Sequence, residues 1–349
     1  MIRTLLILVL FIFCGSFVIW KSNNSYSTTE IPDKLSAYNF FAAPVAEQRP
    51  AKDVFSYDLN TPLFSDYAEK LRFVKVPEGK KVMYNDSTVF AFPEGTVLIK
   101  TFYFPKDFRD ESQGRRLIET RLLIKDGKGW KALPYIWNEE QTDAFLDVAG
   151  EQKEVSYVDE RGKKQKHAYF IPNSNQCKGC HNRSEELVPI GPSAKQLNGE
   201  KEYGAIKENQ LQHWQQSGIL SGLPELTKIP KAAVWNNLSS GSVEERARIW
   251  LDINCAHCHN PHGPAATSGL NLNTSETDPL KLGIYKTPVA AGRGSGNRKF
   301  DILPGKPDES ILIYRMESND PGVMMPELGR SVMHKEGVEL IKQWIRQMK

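Results

Sequence analysis

Cysteine is scarce in this 349-residue chain: there are five. Cys14 stands in an apolar leader and the other four fall in two short blocks, so none is left over for a further role. A surplus of one charge is missing too. Lys and Arg number 45 against 42 Asp and Glu, a net +3, and the basic residues are scattered. That balance gives no reason to expect a nucleic-acid partner. There is no low-complexity tract, no phosphate loop and no repeat beyond the two cysteine blocks. The chain is 40% hydrophobic and 25% charged, an ordinary globular balance. Its length suggests two or three domains.

The two blocks are Cys177-Lys178-Gly179-Cys180-His181 and Cys255-Ala256-His257-Cys258-His259. Both read CxxCH, the spacing to which haem is attached covalently. Two cysteines three positions apart sit on one side of a helical turn, so both thiols can meet the vinyl groups of one porphyrin. The adjacent histidine then supplies a fixed axial nitrogen to the iron. Plainer readings exist. A redox dithiol of the thioredoxin kind needs a βαβ context and no histidine directly after the second cysteine. A zinc ribbon separates its pairs by ~15–20 residues, far less than the stretch from Cys180 to Cys255. Structural disulfides across CxxC close short, strained loops. The blocks therefore predict two haem c groups, attached at Cys177, Cys180, Cys255 and Cys258, with His181 and His259 as axial iron ligands.

At the N-terminus, Arg3 precedes an uninterrupted apolar run of 17 residues from Thr4 to Trp20, followed by Lys21 and polar residues. This is the export pattern, at the short end of the ~17–25 residues that span a bilayer. No small-x-small cleavage site follows closely. Phe13 before Cys14 is too bulky for the usual lipoprotein processing site. Residues 1–22 are read as a signal or membrane anchor, the anchor favoured over a cleaved signal and over lipidation. All three place the rest outside the cytoplasm, which agrees with haem attachment after export.

Residues 23–56, rich in Ser, Asn, Pro and Ala, read as a tether. Over 57–170 the pattern is β. Thr96–Phe104 is rich in β-branched and aromatic residues. Leu117–Ile124 and Trp130–Trp137 form a hairpin through Asp126-Gly127. Arg72–Val76 and His167–Ile171 are further strands. Tyr135 and Trp137 are read as core rather than as ligand contacts.

Residues 171–240 carry the first haem block. Ile206–Ser217 predicts a helix ending at Gly218. No methionine lies between His181 and Cys255, so a sixth ligand for the first iron must come from elsewhere. His213 is the nearest downstream candidate and His167 an upstream one. An open position, able to meet a small molecule, is the third option. Residues 241–349 carry the second block. Ser242 and Glu245 form a capping box ahead of a helix over Val243–Ile253 that feeds into Cys255. Glu336–Met348 predicts an amphipathic helix with Val338, Ile341, Trp344 and Ile345 on one stripe. Such a helix pair is what a class I cytochrome c needs. Between them stands Met324-Met325-Pro326. The proline biases Met325 to an extended conformation, so a loop can present its soft thioether to the second iron. Met324 and His334 are the other candidates, and the plain alternative is a packing methionine. His257 and His262 are read as surface or propionate-side residues.

Taken together, these residues resemble a family of exported bacterial dihaem c-type cytochromes. The segments that carry the likeness are Thr61-Pro62-Leu63-Phe64-Ser65-Asp66, Phe92-Pro93-Glu94-Gly95-Thr96, Glu119-Thr120-Arg121, Asn254 to Leu270, and Met325-Pro326-Glu327-Leu328-Gly329-Arg330. The resemblance implies two haems and electron transfer, and supplies no substrate. The last domain also looks like the class I cytochrome c fold, which supports Cys255, Cys258, His259 and Met325 individually. The expectation is thus a multidomain α+β protein: an N-terminal β-sandwich-like domain, then mainly α-helical cytochrome c-type haem domains. It would transfer electrons in the periplasm or at the outer face of the inner membrane. Its partners would be redox proteins, and the membrane through the N-terminal segment. The rival is a peroxidase-like dihaem oxidoreductase with an open site at the first haem.

Overall fold

Strand residues with turn chemistry between them build the centre of the molecule. A computed structural model describes residues 30–349; the leader expected over 1–22, with Cys14, lies outside the described residues. No helix among the described residues is long and apolar enough to cross a membrane. The strands of this part are β1 (Val54–Ser56), β2 (Glu69–Lys75), β3 (Val82–Met83), β4 (Val97–Pro105), β5 (Arg115–Asp126), β6 (Gly129–Trp137), β7 (Ala144–Leu146), β8 (Glu151–Val158) and β9 (Lys164–Ile171). Six of them form one antiparallel sheet in the order β1-β2-β4-β5-β6-β7. The hairpin expected at Asp126-Gly127 is present. Asp126 pairs with Gly129 across a two-residue loop, and the Asp126 carboxylate accepts the Lys128 N–H at 2.8 Å. β8 and β9 form a separate hairpin.

The period of two along each strand gives the sheet two faces. On one face Phe73, Val97, Ile99, Leu122, Tyr135 and Trp137 form a core with Leu35, Tyr38, Phe40, Phe41 and Val54. Tyr135 and Trp137 are core, as expected. The residues read as a tether are therefore a cover for this face from Leu35 onward: their aromatic side chains are buried against it. The opposite face carries two apolar clusters. Val74 and Leu98 pack against Leu197, Leu211, Trp214 and Leu220. Phe102, Phe104, Ile118 and Ile136 pack against Val155, Tyr157, Tyr169 and Ile171 of β8 and β9.

The helices are α1 (Ser174–Cys180), α2 (Ala194–Leu197), α3 (Gln210–Gln216), α4 (Val243–Asn254), α5 (Ile311–Glu317) and α6 (Lys335–Gln347). The Ser242–Glu245 capping box opens α4: the Ser242 hydroxyl accepts the Glu245 N–H and the Glu245 carboxylate accepts the Ser242 N–H. Trp250 and Leu251 of α4, Ile313 and Met316 of α5, and Val338, Ile341, Trp344 and Ile345 of α6 form a third core.

The expected fold class is corrected here. Among the described residues helix makes up 23% and strand 27%, with six helices and one large antiparallel sheet, so the part after the sheet is not a set of mainly α-helical cytochrome domains. Between 171 and 240 no helix exceeds seven residues. The window Ile206–Ser217, periodic enough to read as one helix, is split. Gly204, at φ +66°, turns the chain so that Ile206–Asn209 pairs with Glu200–Tyr203. The Asn209 side chain then accepts the Leu211 N–H and starts α3 afresh. The same segment supplies Leu197, Leu211 and Trp214 to a core of the sheet. After Asn254 the chain runs to Ile311 with 3-10 turns as its only helices.

Residues 61–67 join the sheet to the helical core. The Asn254 side chain accepts the Phe64 N–H at 2.8 Å. Buried Asp66 accepts the N–H groups of Ser331 (2.7 Å) and Val332 (3.0 Å) and the Ser331 hydroxyl (2.9 Å). Tyr67 donates its hydroxyl to Glu336 at 2.9 Å.

Candidate functional site

Each CxxCH block sits at the end of a capped helix. Asn173 and Gln176 make a reciprocal cap that fixes the start of α1. Cys177 and Cys180, three apart, share one face of that helix. His181 closes it, donating its N–H to Cys177 O at 3.0 Å. At the other block, α4 ends at Asn254, Cys255 caps it, and His259 donates its N–H to Cys255 O at 2.9 Å. All four cysteines are free thiols.

Both block histidines are held in the same tautomer. His181 Nδ1 lies 2.8 Å from Val188 O, an acceptor, so Nδ1 carries the proton. His259 Nδ1 lies 3.0 Å from Ser268 Oγ, whose own proton goes to Ala265 O at 2.7 Å, so Nδ1 again donates. In each ring the Nε2 lone pair is left for a ligand, as in metal-binding histidines oriented by a second partner. Burial holds both imidazoles down to about 4, which keeps them neutral at physiological pH. Burial also pushes the Cys255 thiol up to about 12 and raises Cys177.

The two blocks, remote in sequence, touch. Cys180 and Cys258 are neighbours across the junction, and their interaction lowers Cys180 and raises Cys258. Cys258 Sγ lies 3.8 Å from Gly179 O. Ser184, just past the first block, donates its N–H to His262 O at 2.9 Å.

Beside this junction lies a cavity of about 1580 Å³, part of it open to solvent. Cys177, Cys180 and His181 line it from the first block and His257 from the second; Ile253 of α4, Met316 of α5 and Val338 of α6 add apolar wall. Met325, expected opposite His259, is on the wall of this cavity together with His181, whereas Cys255, Cys258 and His259 are not among its lining residues. Leu328 packs onto Gly179 of the first block. His257, read as a surface or propionate-side residue, is half-buried and lines the cavity, and its Nδ1 is buried without a hydrogen-bond partner.

His213 is not brought to the cavity. Its Nδ1 lies 2.7 Å from Glu208 and its ring stacks on Tyr203 with centroids 3.6 Å apart. His167 packs edge-on to Phe104 and Tyr157, also away from the lining. His334 does line it, stacked on Phe64 and accepting the Trp250 indole N–H at Nδ1, 3.2 Å away.

One feature of the cavity was missed in the sequence. Arg72, Lys100 and Arg121 stand directly opposite one another on β2, β4 and β5 and all line the cavity. Each interrupts an alternating apolar strand at an inward position, a signal visible only once the register is known.

Among the described residues no three His, Cys, Asp or Glu side chains gather to hold a bare metal ion, so the zinc reading has no cluster behind it. A porphyrin brings its own equatorial donors and asks the protein for one or two axial ones. Paired free thiols, an adjacent imidazole with its Nε2 available and a mainly apolar cavity with cations in its wall suit such a group. In comparisons with family models, curated proteins and solved structures, the chain matches none.

Proposed function

We propose that this protein transfers electrons as a dihaem c-type cytochrome of the periplasm or cell envelope. Cys177 and Cys180 would carry one haem c and Cys255 and Cys258 the other, with His181 and His259 as axial ligands. Met325 is the proposed thioether ligand of the second iron. The reading is carried by one observation: two CxxCH turns, far apart in the chain, pack against each other beside one apolar cavity, each with its histidine Nδ1–H anchored.

When bound, haem supplies a reversible one-electron couple. The chain's own residues do the rest. The Val188 carbonyl and the Ser268 hydroxyl fix the two imidazole planes and strengthen them as donors. Apolar walls such as Ile253, Met316 and Leu328 lower the polarity around the group. Redox partner proteins, and a membrane reached through the N-terminal segment, belong to the same proposal.

The test is the exported protein's intact mass and pyridine haemochrome spectrum. Two haems per chain are expected. Cys177→Ala with Cys180→Ala removes one, and Cys255→Ala with Cys258→Ala removes the other. A colourless protein with the mass of the bare polypeptide refutes the proposal.

A second reading, a peroxidase-like oxidoreductase with an open position at the first iron, is favoured by the diversion of His213 to Glu208 and Tyr203. It requires a high-spin EPR signal and peroxide turnover. Two low-spin signals dispose of it.

A further inference from the structure

The cavity wall carries more positive charge than the protein itself neutralises. Arg72 pairs with Lys100 across β2 and β4, and Lys100 with Arg121 across β4 and β5, so three cations stand in one row on one face of the sheet. Like charges placed directly opposite each other destabilise a sheet. The row lies between two apolar clusters, with Val74 and Leu98 on one side and Phe102 and Ile136 on the other.

Only Arg121 has a carboxylate. Its guanidinium bonds Glu119, Nε to Oε2 at 2.7 Å, and the Tyr169 hydroxyl donates to the same carboxylate at 2.8 Å. Arg72 is only 7% exposed, and its side chain makes no hydrogen bond or ion pair among the described residues. Lys100 has only the Phe102 ring, 4.8 Å from its Nζ to the centroid. The nearest other carboxylates are spoken for or remote: Asp58 is paired with Lys201, and Glu69 is exposed. Burial pushes Lys100 well below its usual value, with Arg72 and Arg121 adding to the effect. Cations left in a buried wall without partners are costly, and proteins keep them where an anion completes the site.

We infer that Arg72, Lys100 and Arg121 form a binding site for the paired carboxylates of the porphyrin attached at Cys177 and Cys180. This rests on the haem reading and deepens it. With the Glu119 carboxylate taken by Arg121 and Tyr169, Arg72 and Lys100 are the side chains left without a carboxylate to meet the propionates. The row belongs to the first block rather than the second. The three cations line the same cavity as Cys177, Cys180 and His181, whereas Cys255, Cys258 and His259 do not line it. Arginine at both ends suits the planar geometry of carboxylates.

The test is a thermal-melting cycle on the exported protein. Lys100→Met is made in the chain with both blocks intact and in the chain carrying Cys177→Ala with Cys180→Ala. In the first, removing the cation unpairs a propionate: Tm falls, and the propionate bending mode of one haem moves in the resonance Raman spectrum. In the second the row has no anion, and the same substitution relieves repulsion, so Tm rises. Arg72→Gln repeats the cycle should the Lys100 variant not accumulate. If two haems are attached but neither substitution changes sign between the two backgrounds, the inference is overturned while the cytochrome reading stands. If citrate or phosphate stabilises the intact protein through these residues and the Raman spectrum is unmoved, the row serves a diffusible anion and the inference is again overturned. No attached haem at all refutes the reading beneath it.

Discussion

The contact between Cys180 and Cys258 makes a chemical prediction about the chain before haem is attached. Cys258 Sγ lies 3.8 Å from Gly179 O, the residue before Cys180, whereas a disulfide within either CxxC block would close a short, strained loop. Expressed in an oxidising compartment without haem-attachment machinery, the chain is expected to form a Cys180–Cys258 cystine in preference to the two intra-block bonds. A loop of this length falls between the ~3 kcal/mol of a 15-residue ring and the ~4.7 kcal/mol of a 100-residue ring in the chain-entropy account, so the bond is worth about 4 kcal/mol at 25 °C. For a chain this long, 1 kcal/mol moves Tm by about 2 °C, giving roughly 8 °C between oxidised and reduced forms. Peptide mapping without reductant reads the pairing, and melting with and without dithiothreitol reads the energy. Cystines found only as Cys177–Cys180 and Cys255–Cys258, or a midpoint indifferent to reductant, would refute the geometry of the junction. The bond would also block attachment at both blocks, so reduction of the apo chain should precede haem insertion.

Three further outcomes are expected. Trp214 is fully buried, so Trp214→Ala should cost about 3–5 kcal/mol in urea unfolding; because its indole N–H has no acceptor, Trp214→Phe should cost much less. Burial holds His334 down to about 4 in the folded chain against 6.5 unfolded. Its neutral form therefore contributes stability that is full above pH 6.5 and is lost as pH falls towards 4, about 3 kcal/mol in all; His334→Gln should flatten that part of the apo protein's stability curve. Ser268→Ala removes the acceptor of His259 Nδ1–H and weakens that imidazole as a donor, so the second haem's potential should rise in a redox titration while Ser268→Thr leaves it in place.

What the sequence allowed one to read follows a physical rule. Features written in local chemistry came through: the Asp126-Gly127 hairpin, the Ser242–Glu245 cap and the amphipathic stripe of α6. Features that depend on distant pairing did not. The row of Arg72, Lys100 and Arg121 exists only in the register of three strands. His213 looked available because its helical window seemed continuous, yet Gly204 turns the chain and Tyr203 then captures the ring. The helical content was overstated for a related reason: capped apolar patches read as helices, while Gly, Pro and Asn between them divert the chain into short strand pairs and 3-10 turns. The cover formed by Leu35, Tyr38 and Phe40 was hidden by its polar neighbours, since burial is decided by the face it meets and not by local composition.

The segment 61–67 explains why the blocks meet. Neither block reaches the other through the chain between them, which is long and largely irregular. They are brought together because Phe64 is tied to Asn254, the residue before Cys255, and Asp66 to Ser331 and Val332 beyond Met325. The first block is held by the sheet through α1 and β9, so each side of the junction is fixed by a different core and the ties set their separation. Under the cytochrome proposal, the distance between the two cofactors is then a property of packed cores rather than of a linker. Electron exchange between them needs no domain movement, and loosening Asp66 should slow that exchange without changing either haem's attachment.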